Sequence, residues 1–219
     1  MKIALVVGAT GLIGNHLTKK LLNDEHYDLV RIFTRRSLNI IDPKLEENIV
    51  DFNKIETWKE KIKGNVLFSS LGTTIKKAGS REAQYKIDFT YQYDIAKWGP
   101  ENGVEKYVLV SSGGADSKSK NFYLRTKGEL EEKVEQLKFE NLIIFQPSLL
   151  LGEREEKRVG ETIGAVLAKG VIPLLPFLKK YRPIEGAVVA AAMINSVQHS
   201  SLKRIQRYAY DQIFTLIEK

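Results

Sequence analysis

Two hydrophobic rhythms alternate along the chain. Short apolar runs bounded by turn residues predict strands at 3–7, 29–34, 48–51, 66–69, 107–111 and 142–145. Between them apolar side chains return every three or four positions, as Leu17, Leu21 and Leu22 do while Lys19, Lys20 and Asn23 face outward. The same spacing predicts helices over 85–98, closed by Gly99 and Pro100, and over 122–137, with Glu129 and Lys133 paired at i,i+4. The strand runs are too short and too uniformly apolar to be half-exposed, which is the mark of strands covered on both faces. Strand and helix alternating from the first residue predict an α/β fold, a Rossmann-type doubly wound parallel sheet.

After position 147 the rhythm changes. A charged loop at 154–158 and a helix at 160–169 are followed by an apolar stretch, 171–178, broken by Pro173 and Pro176. Small apolar residues at 186–194 predict a helix packed closely on a sheet, and 208–217 one more strand and a closing helix. The expectation is one domain over 1–219, with 148–219 as a C-terminal extension forming a wall of a substrate cleft. There is no internal repeat or linker.

The first run leads into Gly8-Ala9-Thr10-Gly11-Leu12-Ile13-Gly14. Glycines at spacing three and three, after a strand and opening a helix, allow a tight reversal, close backbone approach to a pyrophosphate and close helix–strand packing. A helix starting at Leu12 aims its unpaired N–H groups and positive dipole end at such a phosphate. Where an acidic residue at the end of the second strand would hold ribose hydroxyls, this chain has Arg35 and Arg36. A guanidinium grips a 2′-phosphate that a carboxylate would repel, so NADP(H) is expected in preference to NAD(H), with NAD(H) the second choice. Asp51 and Phe52 after the third strand are candidates to flank the adenine, a simple strand cap being the other reading. Leu71, Gly72 and Thr73 follow the fourth strand at the sheet edge where open α/β sheets bind ligands.

The candidate catalytic group is Ser112, Tyr123 and Lys127. Tyrosine and lysine four apart share a helix face, and an ammonium beside a phenol favours the phenolate, which makes the phenol a usable acid. Ser112, at a strand end, is placed to hydrogen-bond a substrate carbonyl. Tyr93 and Lys97 repeat the spacing; they lie in the preceding helix, without a Ser-Ser strand end upstream, and read as surface.

Composition sets the remaining bounds. The chain has 219 residues, no cysteine and a formal charge of +7. Disulfides and thiolate metal sites are excluded, and a reducing compartment, the cytoplasm, is expected. No metal site is expected, since the three histidines are dispersed. The basic residues are interleaved with acids, so nucleic acid is not an expected partner despite the charge. No apolar run reaches the length needed to span a bilayer, no signal peptide is visible, and no phosphate loop of the NTPase type occurs.

Taken together, Gly8-Ala9-Thr10-Gly11-Leu12-Ile13-Gly14, Val50-Asp51-Phe52, Leu71-Gly72-Thr73-Thr74 leading to Lys77-Ala78-Gly79, Ser111-Ser112-Gly113-Gly114-Ala115-Asp116, Tyr123-Leu124-Arg125-Thr126-Lys127-Gly128-Glu129-Leu130-Glu131 and Pro147-Ser148-Leu149-Leu150-Leu151-Gly152-Glu153-Arg154 resemble the atypical short-chain dehydrogenase/reductases, in particular the Tat-interacting-protein-like oxidoreductases. The resemblance covers nearly the whole chain. It implies NADP(H) in a Rossmann-type site lined by Gly8, Thr10, Gly11, Leu12, Ile13, Arg35, Leu71, Gly72 and Pro147, with Tyr123, Lys127 and a serine as the reductase triad. Two positions depart from the superfamily's pattern: Asp88 stands near the place of a fourth-helix asparagine, and Gln146 where an arginine often precedes the proline. The expected activity is hydride transfer from NADPH to a small carbonyl compound. The alternative is an NADPH-binding regulatory or scaffold protein that binds a protein partner through 171–178 without turnover. Relatives of this kind often pair through helices near the fourth and fifth strands, so a homodimer is a further expectation.

Overall fold

The structure is a computed structural model and describes residues 1–151, 181–198 and 203–217. Its strands, in chain order, are β1 (Ile3–Val7), β2 (Leu29–Thr34), β3 (Leu45–Ile49), β4 (Val66–Ser69), β5 (Lys106–Val110), β6 (Asn141–Gln146), β7 (Leu150–Leu151), β8 (Ile184–Glu185) and β9 (Ile205–Ala209). Seven of them form one parallel sheet in the order β3-β2-β1-β4-β5-β6-β9. The other two, β7 and β8, make a separate parallel pair. The helices are α1 (Leu12–Leu22), α2 (Ile75–Ala78), α3 (Arg81–Tyr85), α4 (Tyr91–Glu101), α5 (Phe122–Glu135) and α6 (Gly186–Gln198), with a π turn over Lys86–Thr90 joining α3 to α4.

The apolar runs divide between two layers, as strand pleating requires. In β1, Ala4 and Val6 enter one core with Leu17 and Leu21 of α1 and Val189 and Met193 of α6. Leu5 and Val7 enter the other with Ile95 of α4 and Leu130 and Val134 of α5. Ile143 and Phe145 against Leu142 and Ile144 repeat the split in β6. Each of the larger of these side chains taken fully out of water contributes about 1.5–3 kcal/mol, and helices on both faces explain why inner strands such as β1 show no polar alternation. The strand order reverses between β1 and β4, and at such a switch point the carboxyl ends of the strands open into a crevice.

Three expectations shift. The third strand begins earlier, at Leu45, and Asp51 caps the 3₁₀ turn Phe52–Thr57, accepting from the Asn53 N–H at 2.9 Å. Helix α4 does not stop at Gly99; it carries Pro100 within its last turn, forgoing one helical N–H donor, and ends with the Asn102 N–H bonded to the Trp98 carbonyl. The Glu129 carboxylate faces Arg125 at 3.9 Å, one turn earlier in α5, where the sequence predicts Lys133. In the extension, α6 covers the predicted helix, and β9 adds the last strand parallel to β6, followed by a 3₁₀ turn, Tyr210–Leu216. The loop at 154–158, the helix at 160–169 and the apolar stretch 171–178 lie outside the described residues. Among those described, no helix is long and apolar enough to cross a membrane.

Candidate active site

Residue by residue, the glycine turn shows why it is built this way. Gly8 has φ +86°, and a Cβ there would stand 2.6 Å from the Ser70 carbonyl carbon. A Cβ on Gly14 would meet the Gly8 oxygen at 2.1 Å. These two glycines let β1, α1 and the loop after β4 close on one another. Gly11 is the N-cap of α1; its N–H reaches the Gly8 oxygen at 2.8 Å, and it offers no side chain to the first-turn N–H groups behind it. Those donors and the helix dipole are therefore left for an anion. No acidic residue occupies the first turn.

The turn opens into a cavity of about 1200 Å³ across the carboxyl ends of β1, β4, β5 and β6. Thr10, Gly11, Leu12 and Ile13 line it, as do Arg35 and Arg36, Leu71, Gly72 and Thr73, Ser111 and Ser112, Tyr123, Lys127 and Pro147. The predicted residues come from separate stretches of chain, and the fold gathers them at one crevice. Gly8 lies just beneath, as packing. Asp51 and Phe52 are placed elsewhere: Asp51 caps the 3₁₀ turn, and the Phe52 ring is buried against Trp58 and Tyr91, with centroids 5.7 and 5.5 Å apart. An apolar ring beside two aromatic neighbours is worth more in the core than at an open adenine. Tyr93 stacks on Phe89 and does not line the cavity, nor does Lys97.

Among the described residues five cations line the cavity, Arg35, Arg36, Lys76, Lys77 and Lys127, and no carboxylate does. Lys76 and Lys77 come from the short helix α2. Nothing local in the sequence marks either lysine, because only the fold brings α2 to the cavity.

Around the candidate triad the hydroxyls differ. Ser111 is buried and donates to the Glu131 carboxylate. Ser112 is only half-buried, its nearest acceptor being the Gly113 oxygen at 3.4 Å. The Gly113 N–H donates to the Pro147 oxygen at 2.8 Å, tying the end of β5 to the end of β6. Tyr123 stands at 37% exposure with its ring on the cavity, whereas Lys127, one turn on, is 3% exposed.

Beside Lys127 lies Asp88, fully buried in the π turn. Its carboxylate accepts from the Thr73 N–H at 2.9 Å and the Gln84 amide at 3.1 Å. Burial pushes the Asp88 carboxyl above its usual range, opposed by the Lys127 charge and these two hydrogen bonds. Asp88, near the place where the superfamily's pattern has asparagine, thus puts a titratable carboxyl next to the lysine. The i,i+4 spacing of Gln84 and Asp88 was the readable signal for it. Gln146 is also engaged. Its amide donates to Glu131, which also faces Arg207 of β9, so the positive charge comes from the adjacent strand.

Comparison with known proteins places this geometry. A family profile described as NAD(P)H-binding matches residues 8–173. The chain is 37% identical over 207 residues to "Protein FMP52-1, mitochondrial" of Scheffersomyces stipitis, covering 90% of this chain and 88% of that protein. To "Protein HTATIP2" of Rattus norvegicus it is 36% identical over 164 residues, 73% of this chain and 67% of that one. The fold resembles a UDP-galactose 4-epimerase (TM-score 0.67, 15% identity, 94% of this chain and 76% of that one) and the Bordetella bronchiseptica enzyme WbmH, solved with NAD+ (TM-score 0.71, 14% identity, 96% and 75%). One expectation is corrected: the FMP52 relatives are named as mitochondrial proteins, which overturns the cytoplasmic assignment. Absence of cysteine speaks only for a reducing interior and does not separate one such compartment from another. With a profile spanning most of the chain and relatives matched over 73–90% of it, the protein belongs to the NAD(P)H-binding family, in the atypical short-chain dehydrogenase/reductase group.

Proposed function

We propose that the protein is an NADPH-dependent reductase of small carbonyl compounds. The observation that carries this reading is the meeting, in one cavity with no carboxylate among its described lining residues, of the uncapped N-terminus of α1, the Arg35–Arg36 pair and the Ser112, Tyr123 and Lys127 side chains. The N–H groups of Leu12 and Ile13 would hold the pyrophosphate, and Arg35 with Arg36 the 2′-phosphate. When bound, the dihydronicotinamide supplies a hydride to the carbonyl carbon and is itself oxidised. Ser112 orients the carbonyl oxygen by a hydrogen bond, and its freedom from the Glu131 bond that occupies Ser111 favours it for that role. Tyr123 gives its phenolic proton to that oxygen, and the product is the alcohol. Lys127 favours the phenolate left behind and would hold the cofactor ribose. Pro147 and Leu71 to Thr73 form the facing walls. The FMP52 relatives point to a mitochondrial setting.

The test is a carbonyl panel assayed for NADPH oxidation, with a Tyr123→Phe variant alongside. The expected result is turnover that falls by about 10²–10⁴-fold in the variant, with NADPH affinity kept within about twofold. Full turnover by Tyr123→Phe would remove the assigned acid.

A further inference from the structure

Tyr210 is held in a backbone conformation that an aromatic residue rarely adopts. Its φ is +53°, directly after the last residue of β9. The surroundings impose it. Gln212 accepts from the Ala209 N–H at 3.0 Å on one side, and Ile213 and Leu216 are locked into the core on the other. Strain fixed in this way occurs where a side chain has to be aimed, and the aim here is specific. The ring is carried back over the carboxyl end of β5, where a Cβ on Gly113 would stand 2.5 Å from Tyr210 Cε1. Only a glycine next to Ser112 leaves room for it. Tyr181 meets the same ring edge to face, centroids 4.7 Å apart at 73°. Both rings line the cavity together with Leu149 and Leu150, and Tyr181 is 45% exposed.

We propose that Tyr210, backed by Tyr181, is a specificity-determining wall that selects carbonyl substrates bearing a planar aromatic group. It rests on the reductase reading above. Aromatic rings prefer offset or edge-to-face neighbours, and a planar substrate group would extend the pair already formed. Its carbonyl would then lie beside Ser112, one residue from the glycine under the ring. Among the described residues no carboxylate lines the cavity to pair a cationic group, and the wall itself presents Tyr210, Tyr181, Leu149 and Leu150, so an apolar ring is the feature it can recognise.

The test compares benzaldehyde with cyclohexanecarbaldehyde, a pair of like size that differs in planarity. The wild type should favour the aryl aldehyde by about fivefold or more in kcat/KM. Tyr210→Leu should collapse that ratio towards one, through KM, while Tyr210→Phe retains it; NADPH affinity and thermal melting report that each variant is folded. Saturation-transfer NMR with acetophenone and NADP+ reads aryl binding without turnover. Turnover with no aryl preference, or a preference unchanged in Tyr210→Leu, overturns the wall and leaves the reductase standing. Aryl binding lost in Tyr210→Leu, with no aldehyde reduced by any form, keeps the wall and overturns the reductase. Neither binding nor turnover overturns both.

Discussion

The Gln146 amide nitrogen lies 3.0 Å from both carboxylate oxygens of Glu131. Ser111 donates to the same carboxylate, and Arg207 Nε stands 3.7 Å from it. Glu131 is 5% exposed, and burial pushes its carboxyl above the ordinary value of 4.5 despite these partners. A raised carboxyl binds its proton more readily in the folded state. The corresponding stability is therefore present at low pH and is lost as pH rises from about 4.5 through the raised folded value. Glu131→Gln, a neutral stand-in for the protonated side chain, should lose this dependence. Urea melts of both proteins from pH 4 upward should show the variant gaining on the wild type as pH rises; parallel curves would contradict the assignment.

Arg35 and Arg36 are both exposed at the cavity rim, so their contribution should be confined to the extra phosphate. Arg35→Ala should weaken NADPH by roughly 10–100-fold, the range for a lost charge-assisted bond, and leave NADH binding nearly unchanged. Calorimetric titration of both cofactors reads the difference. Equal losses for the two would place Arg35 away from the 2′-phosphate.

Gly8→Ala puts a methyl 2.6 Å from the Ser70 backbone in a left-handed conformation. The cost should be about 2 kcal/mol or more, lowering Tm by roughly 4–8 °C for a chain of this size. Gly79→Ala, with φ +93° and nothing within 4 Å of its Cβ, should cost only the backbone part. Differential scanning calorimetry of the two variants separates steric closeness from dihedral strain.

Most of the sheet was readable in the sequence because its strands are covered on both faces: a run such as Ala4 to Val7 has no polar member to obscure it. β3 was misplaced for the opposite reason. Its Leu45-Glu46-Glu47 opening is polar at the sheet edge, and Glu46 is held there by Arg31 of β2, at 2.7 and 2.9 Å, a pairing that spacing does not announce. The glycine turn, the serine pair and the tyrosine–lysine helix were legible since each is local. Asp51 and Phe52 were drawn towards the site by their position after a strand, although Trp58 and Tyr91 supply the aromatic company that decides where Phe52 goes. Tyr210 and Tyr181 were not legible. Their place depends on β9 pairing with β6 and on room left by Gly113, both long-range facts.

The central claim is that the cavity takes a nicotinamide dinucleotide with a 2′-phosphate, and fluorescence titration of the purified protein with NADPH and NADH tests it most directly. NADPH should bind saturably at one site per chain, with an affinity roughly 10–100-fold above that for NADH. Binding of neither, or tighter binding of NADH, would contradict it.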